Sequence, residues 1–142
     1  MGSNPTLSAT SHLADGPVKA RHIRHADLPP FGRRFDPASY DLRGLAGSDH
    51  GLATSVMHAT IAPGRGPMRH RHPHAEIFAI HAGTGRFEVD GETFEAEAGD
   101  VLIIPPGAWH AFVATGTEPL RNTAIHENPR LVTEWDDGAR QD

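Results

Sequence analysis

The chain contains no cysteine, which removes disulfides, thiolate metal sites and cysteine nucleophiles together; a bound metal would have to be held by nitrogen and oxygen. No apolar run approaches the ~20 residues of a membrane-spanning helix, and the opening MGSNPTLSATSHLADG lacks the basic and apolar regions of a secretory signal. A soluble, cytoplasmic protein with no membrane partner is therefore expected. Basic residues are in the minority, 13 Lys and Arg against 18 Asp and Glu, and no basic stripe interleaves with aromatics, so nucleic acid is not an expected partner. A Gly-x-Ser-x-Gly elbow, a glycine-rich phosphate loop opening a helix and a His-Glu-x-x-His helix are all missing, which excludes the commonest hydrolase and nucleotide-binding chemistries. Amphipathic stretches of helical period longer than about ten residues are missing too. Parallel βαβ units lose their crossovers, and an antiparallel sheet is expected.

What the chain does have is 142 residues, enough for one domain, 15 glycines and 12 prolines for many turns, and 11 histidines, an unusual number for this length. Residues 1–20 are polar and aperiodic and are expected to be flexible; 21–51 carry mixed signals and read as an N-terminal extension packing on the barrel. From residue 52 the text becomes short β-favouring runs divided by turn residues, at 52–61, 68–72, 76–81, 86–89, 92–96, 101–104, 109–113 and 120–126. Eight short strands at this spacing predict an all-β barrel or jelly roll over 52–127. Asp90-Gly91 between two of them is a two-residue hairpin loop of type I′, because both residues tolerate positive φ. Residues 128–142 form an amphiphilic C-terminal segment and tail, expected to pack outside the barrel or across a dimer interface.

The histidines carry the chemistry. His70 and His72 stand two apart on a predicted strand, so both imidazoles leave one face, with Cα atoms ~6.7 Å apart. Pro73-His74-Ala75 then turns the chain, and Glu76 opens the next strand, where its carboxylate can return beside them. Two imidazoles and one carboxylate on one side of an ion leave the opposite positions open. His110 can point inward as a fourth ligand. The alternative is a chance cluster of surface histidines in a His-rich chain.

The two segments read Gly64-x5-His70-x-His72-x3-Glu76-x6-Gly83 and Gly99-x5-Pro105-x-Gly107-x2-His110. In spacing and residue type this resembles the cupin superfamily, over both of its signature motifs. Ala114 stands where the family usually has Asn, a departure that touches no metal ligand. The resemblance implies a cupin-type antiparallel β-barrel, or double-stranded jelly roll, holding one divalent metal through His70, His72, Glu76 and His110. Iron is the first choice, with manganese, nickel, copper and zinc compatible with the same donors.

Alternation along the strands predicts more. Phe78 and Ile80 share the face of Glu76, and Phe112 that of His110, which makes an apolar wall. Trp109, Arg69, Arg71 and His81 should face away. His74, in the turn, is expected to be solvent-exposed, whereas His58 and His126 are candidate inward acid/base residues. The expected function is a metal-dependent enzyme on a small polar organic molecule, a dioxygenase in first place. Two alternatives stand beside it: non-redox isomerase, cyclase or lyase chemistry with the metal as Lewis acid, and a non-catalytic small-ligand or metal-binding module. A homodimer is expected, its edge strands or terminal segments covered by the partner copy.

Overall fold

The computed structural model describes residues 19–31, 35–138 and 140–141. The segment expected to be flexible, 1–20, therefore lies outside the described residues except for Lys19 and Ala20. Among the described residues eleven strands run in chain order: β1 Tyr40–Leu45, β2 Ser55–Ile61, β3 His70–Arg71, β4 Glu76–Ala82, β5 Thr84–Val89, β6 Glu92–Glu97, β7 Val101–Ile104, β8 His110–Thr115, β9 Leu120–His126, β10 Thr133–Trp135 and β11 Arg140–Gln141. They form two sheets, ordered β1-β2-β9-β4-β7 and β11-β10-β3-β8-β5-β6. Every pairing is antiparallel.

The period-two pattern decides which side of each sheet is buried. In β2 and β9 every second residue is buried, beginning with the first, as expected for sheets with one face on a shared core. That core holds Met57, Ile61, Phe78, Phe87, Phe112 and Leu120 among others. Three rings tie the sheets together: Phe87 stacks on Phe112 at 4.6 Å, and Phe78, from the opposite sheet, meets both edge-on at 5.2 and 5.4 Å.

Turn chemistry sets the register. Asp90 and Gly91 have φ of 47° and 86°, the positive pair a type I′ hairpin needs. The same aspartate accepts a hydrogen bond from the Trp109 N–H at 3.0 Å, while its own N–H donates to the Trp109 carbonyl at 2.9 Å. The β5–β6 hairpin is thereby tied to the approach of β8. Gly83 has φ +75°, and a Cβ there would stand 2.4 Å from the Pro119 carbonyl oxygen, so both conformation and space demand glycine.

The structure extends the sheets beyond the eight strands read from the sequence. Residues 40–45 do not merely pack on the barrel; β1 pairs with β2 along its whole length. Its Gly44 lies where a Cβ would meet the Val56 carbonyl oxygen at 2.2 Å. The C-terminal segment likewise enters a sheet instead of lying outside: β10 pairs with β3, Glu134 opposite Arg71 and Trp135 opposite His70. Three residues are too few to show a period, so this strand is visible only through its partner. No helix among the described residues is long and apolar enough to cross a membrane.

Candidate metal centre

Four elements converge at one end of the core. β3 supplies His70, the turn after it His72, the first residue of β4 Glu76 and the first residue of β8 His110. Pairing places His70 directly opposite His110, and Glu76 opposite the last residue of β9, His126. All five side chains are buried. One ligating atom from each of His70, His72, Glu76 and His110 lies within 4.8 Å of all the others.

The backbone fixes how the imidazoles face. His70 Nδ1–H donates to the Met68 carbonyl at 2.7 Å, His72 Nδ1–H to the Val132 carbonyl at 2.8 Å and His110 Nδ1–H to the Ala108 carbonyl at 2.9 Å. A carbonyl only accepts, so each Nδ1 carries the proton and, in a neutral ring, Nε2 presents a lone pair. Those of His72 and His110 stand 3.2 and 3.1 Å from the same carboxylate oxygen, Glu76 Oε1. Lone pairs converging on lone pairs call for a positive centre among them, a proton on an imidazole or a cation. Ligands at right angles around an ion with ~2.1 Å bonds stand ~3.0 Å apart, which is close to the spacing found. Three nitrogens and one carboxylate, aimed inward by hydrogen bonds behind them, thus fit a divalent ion.

The other carboxylate oxygen, Glu76 Oε2, accepts a hydrogen bond from His126 Nε2–H at 3.2 Å. With its proton there, His126 Nδ1 accepts from His74 Nε2–H at 3.1 Å. His74 Nδ1 ends the chain, buried and with no partner among the described residues. His74 is therefore not the solvent-exposed turn residue expected from the sequence: the turn folds inward and stacks its ring on His72 at 5.2 Å. A second group of potential ligands, His72, His74 and His126, overlaps the first.

Electrostatics follow from this packing. Burial pushes the Glu76 carboxyl up, but the imidazoles of His126, His110 and His72 set against its two oxygens prevail and hold it well below the usual carboxylate range. Burial, with His110 and His72 beside it, brings His70 down to about 3, and burial with His126 and His72 brings His74 down to about 4. Both rings are neutral near pH 7, the form in which imidazole binds metal. Tyr40 is pushed far up by burial and then by Glu76, and stays a neutral phenol.

The centre opens onto a cavity of about 60 Å³ whose walls include Met57, Phe78, Phe112, Asn122, His126 and Trp135. Phe78 and Phe112 take the places alternation predicted. His58 does not reach it: its side chain lies on the outer face of β2, with Nδ1 3.1 Å from Thr123 Oγ1, because it falls on the opposite parity from buried Met57 and Ala59. Of the two candidate acid/base residues, only His126 lines the cavity. His81 is exposed, and Arg69 and Arg71 turn outward over Trp109, their guanidinium carbons 5.1 and 4.4 Å from its ring centre. Sequence reasoning missed the contribution of β10, where Trp135 packs on His70 at 4.9 Å and Thr133 Oγ1 lies 3.3 Å from His72 Nδ1. The amphiphilic character of residues 130–135 marks a packed segment but not a strand or its partner.

Comparison with known proteins agrees with this architecture. A family model described as a cupin domain matches residues 57–126. Over 72 residues the chain is 34% identical to a 5-nitrosalicylic acid 1,2-dioxygenase of a Bradyrhizobium species, covering 51% of this chain and 35% of that protein. A gentisate 1,2-dioxygenase of Aquipseudomonas alcaligenes is 36% identical over 61 residues, covering 42% of this chain and 18% of that one. The match thus spans about a third or less of either enzyme. Among solved structures, a cupin-like protein of Thermotoga maritima superposes with a TM-score of 0.60 at 26% identity, covering 68% of this chain and 74% of that one. The oxalate decarboxylase of Lactobacillus farciminis gives 0.69 at 24% identity, covering 79% and 34%, a likeness of fold. With its two antiparallel sheets, its paired motifs and these relatives, the chain belongs to the cupin superfamily.

Proposed function

We propose that this cupin is a metal-dependent oxygenase acting on a small organic molecule bound in the cavity beside His70, His72, Glu76 and His110. The observation that carries the reading is the inward aim of three imidazoles and one carboxylate at a single buried centre, with an open cavity on one side. A divalent ion held there, iron in first place, supplies Lewis acidity and, if redox-active, a route for electrons between substrate and dioxygen. The dioxygenase names of two relatives support oxygen chemistry.

The chain's own residues do the rest. Met57, Phe78 and Phe112 keep bulk water from the reacting end, which strengthens polar contacts there. His126 holds Glu76 Oε2, leaving Oε1 toward the centre, and can relay a proton from His74 toward Glu76, its Nδ1 taking one as its Nε2 gives one up. That pair is what favours a second reading, Lewis-acid isomerase, cyclase or lyase chemistry with His126 as the proton carrier.

Metal analysis of protein purified without chelator or nickel resin, followed by dioxygen uptake with small hydroxy and oxo acids, tests the proposal. Iron with substrate-dependent uptake is the expected result. A bound redox-silent ion with no uptake would move the assignment to the second reading. His70→Ala should lower metal occupancy sharply while circular dichroism stays β-type; full occupancy in that variant would overturn the ligand set.

A further inference from the structure

Asn122 is only 2% exposed, and it lines the same cavity as the His/Glu cluster, two inward positions before His126 on β9. Its register partners, Ile80 on β4 and Ala59 on β2, have side chains that cannot answer a polar group. Its side-chain Nδ2 is buried and makes no hydrogen bond among the described residues. An orphaned buried amide costs about 1–3 kcal/mol unless something in the cavity satisfies it. A fold with no use for the amide there would be served by an apolar residue of similar shape.

Resting on the oxygenase reading of the centre, we propose that Asn122 is the specificity-determining residue of the cavity. Its amide donates to an oxygen of the substrate, at the end away from the His/Glu cluster. The size of the cavity narrows the class. About 60 Å³ is well under the ~150 Å³ that holds a benzene ring, so the enclosed part of the substrate has only a few heavy atoms. Beside Met57, Ala59 and Ala124, that part is a short carbon skeleton. The part of the substrate that enters is therefore a compact carbonyl unit, as in a short oxo acid or diketone, with one oxygen for Asn122 and another directed at the cluster. In the free protein a cavity water can occupy the amide, and the substrate oxygen replaces it.

The test uses the full-length, metal-loaded protein with pyruvate and acetylacetone as probes. Binding is measured by calorimetry, and the Asn122 side-chain amide is followed by nitrogen-15 NMR. The expected result is a shift of that resonance on binding and a Kd raised at least tenfold in Asn122→Leu, with metal content unchanged. Asn122→Ser, which keeps a shorter donor, should fall between them and guards against a folding defect in the leucine variant. A probe that binds without moving the resonance, or with equal Kd in the leucine variant, overturns the assignment. Failure of both probes to bind the wild type overturns the substrate class. If the wild type takes up no metal, the oxygenase reading fails by itself; the resonance shift in the metal-free chain then decides the role of Asn122.

Discussion

His126 spends both ring nitrogens on neighbours, Nε2 on Glu76 and Nδ1 on His74. It touches the carboxylate oxygen left over by the cluster, which makes it a positioning residue for Glu76. His126→Ala should weaken metal binding by roughly 10–100-fold, the usual consequence of losing a group that orients a ligand. Competition against a chromogenic chelator measures this; unchanged affinity would mean that Glu76 needs no such support. His70 and His72 were legible from spacing because two residues apart on a strand always share a face. His74 was not, since a turn has no parity, and only the inward fold of residues 73–75 buries it.

At the scale of elements, β10 is small and consequential. Trp135 is buried, packs on His70 at 4.9 Å and meets Phe35 edge-on at 6.0 Å. Replacing it by alanine should cost about 3–5 kcal/mol of stability, read as a lower urea midpoint, and should lower metal affinity because the wall behind His70 is removed. The turn entering β5 makes a separate prediction. Gly83→Ala forces a side chain into positive φ and against the Pro119 carbonyl, so it should cost more than ~1 kcal/mol. Thermal unfolding checks it, and an unchanged midpoint would show that the turn can relax. Strands 101–104 and 120–126 agree with the structure residue for residue, because proline or glycine punctuation closes them. β1 escaped because residues 40–45 show no clean apolar alternation and become a strand only by pairing with β2, and β10 because its partner β3 lies more than 60 positions back.

For the whole molecule, the metal-free protein should lose stability in acid. His70 and His74 bind protons near pH 3 and 4 in the fold but near 6.5 when unfolded. As pH falls below about 6.5 the unfolded chain takes up protons that the native state refuses, and stability declines toward pH 4 and below. Full stability from these groups is present above 6.5. Urea midpoints at pH 7.5 and pH 5 should therefore differ, the lower at pH 5; equal midpoints would mean that the cluster opens at little cost. An ion bound at a concentration a hundredfold above its Kd adds about 2.7 kcal/mol. Chelation at pH 7.5 should accordingly lower Tm by on the order of 10 °C.

The amino-acid sequence by itself determined the antiparallel all-β class, most strand positions and the candidate set His70, His72, Glu76 and His110, because parity, turn chemistry and motif spacing are local properties of a chain. Only the tertiary structure decided that His58 faces outward while His126 and His74 extend the cluster, that Asn122 lines the cavity with its Nδ2 unbonded among the described residues, and that residues 133–135 wall the site. Those outcomes depend on which strand lies beside which, and contacts between residues 50 or more positions apart leave no trace in local periodicity.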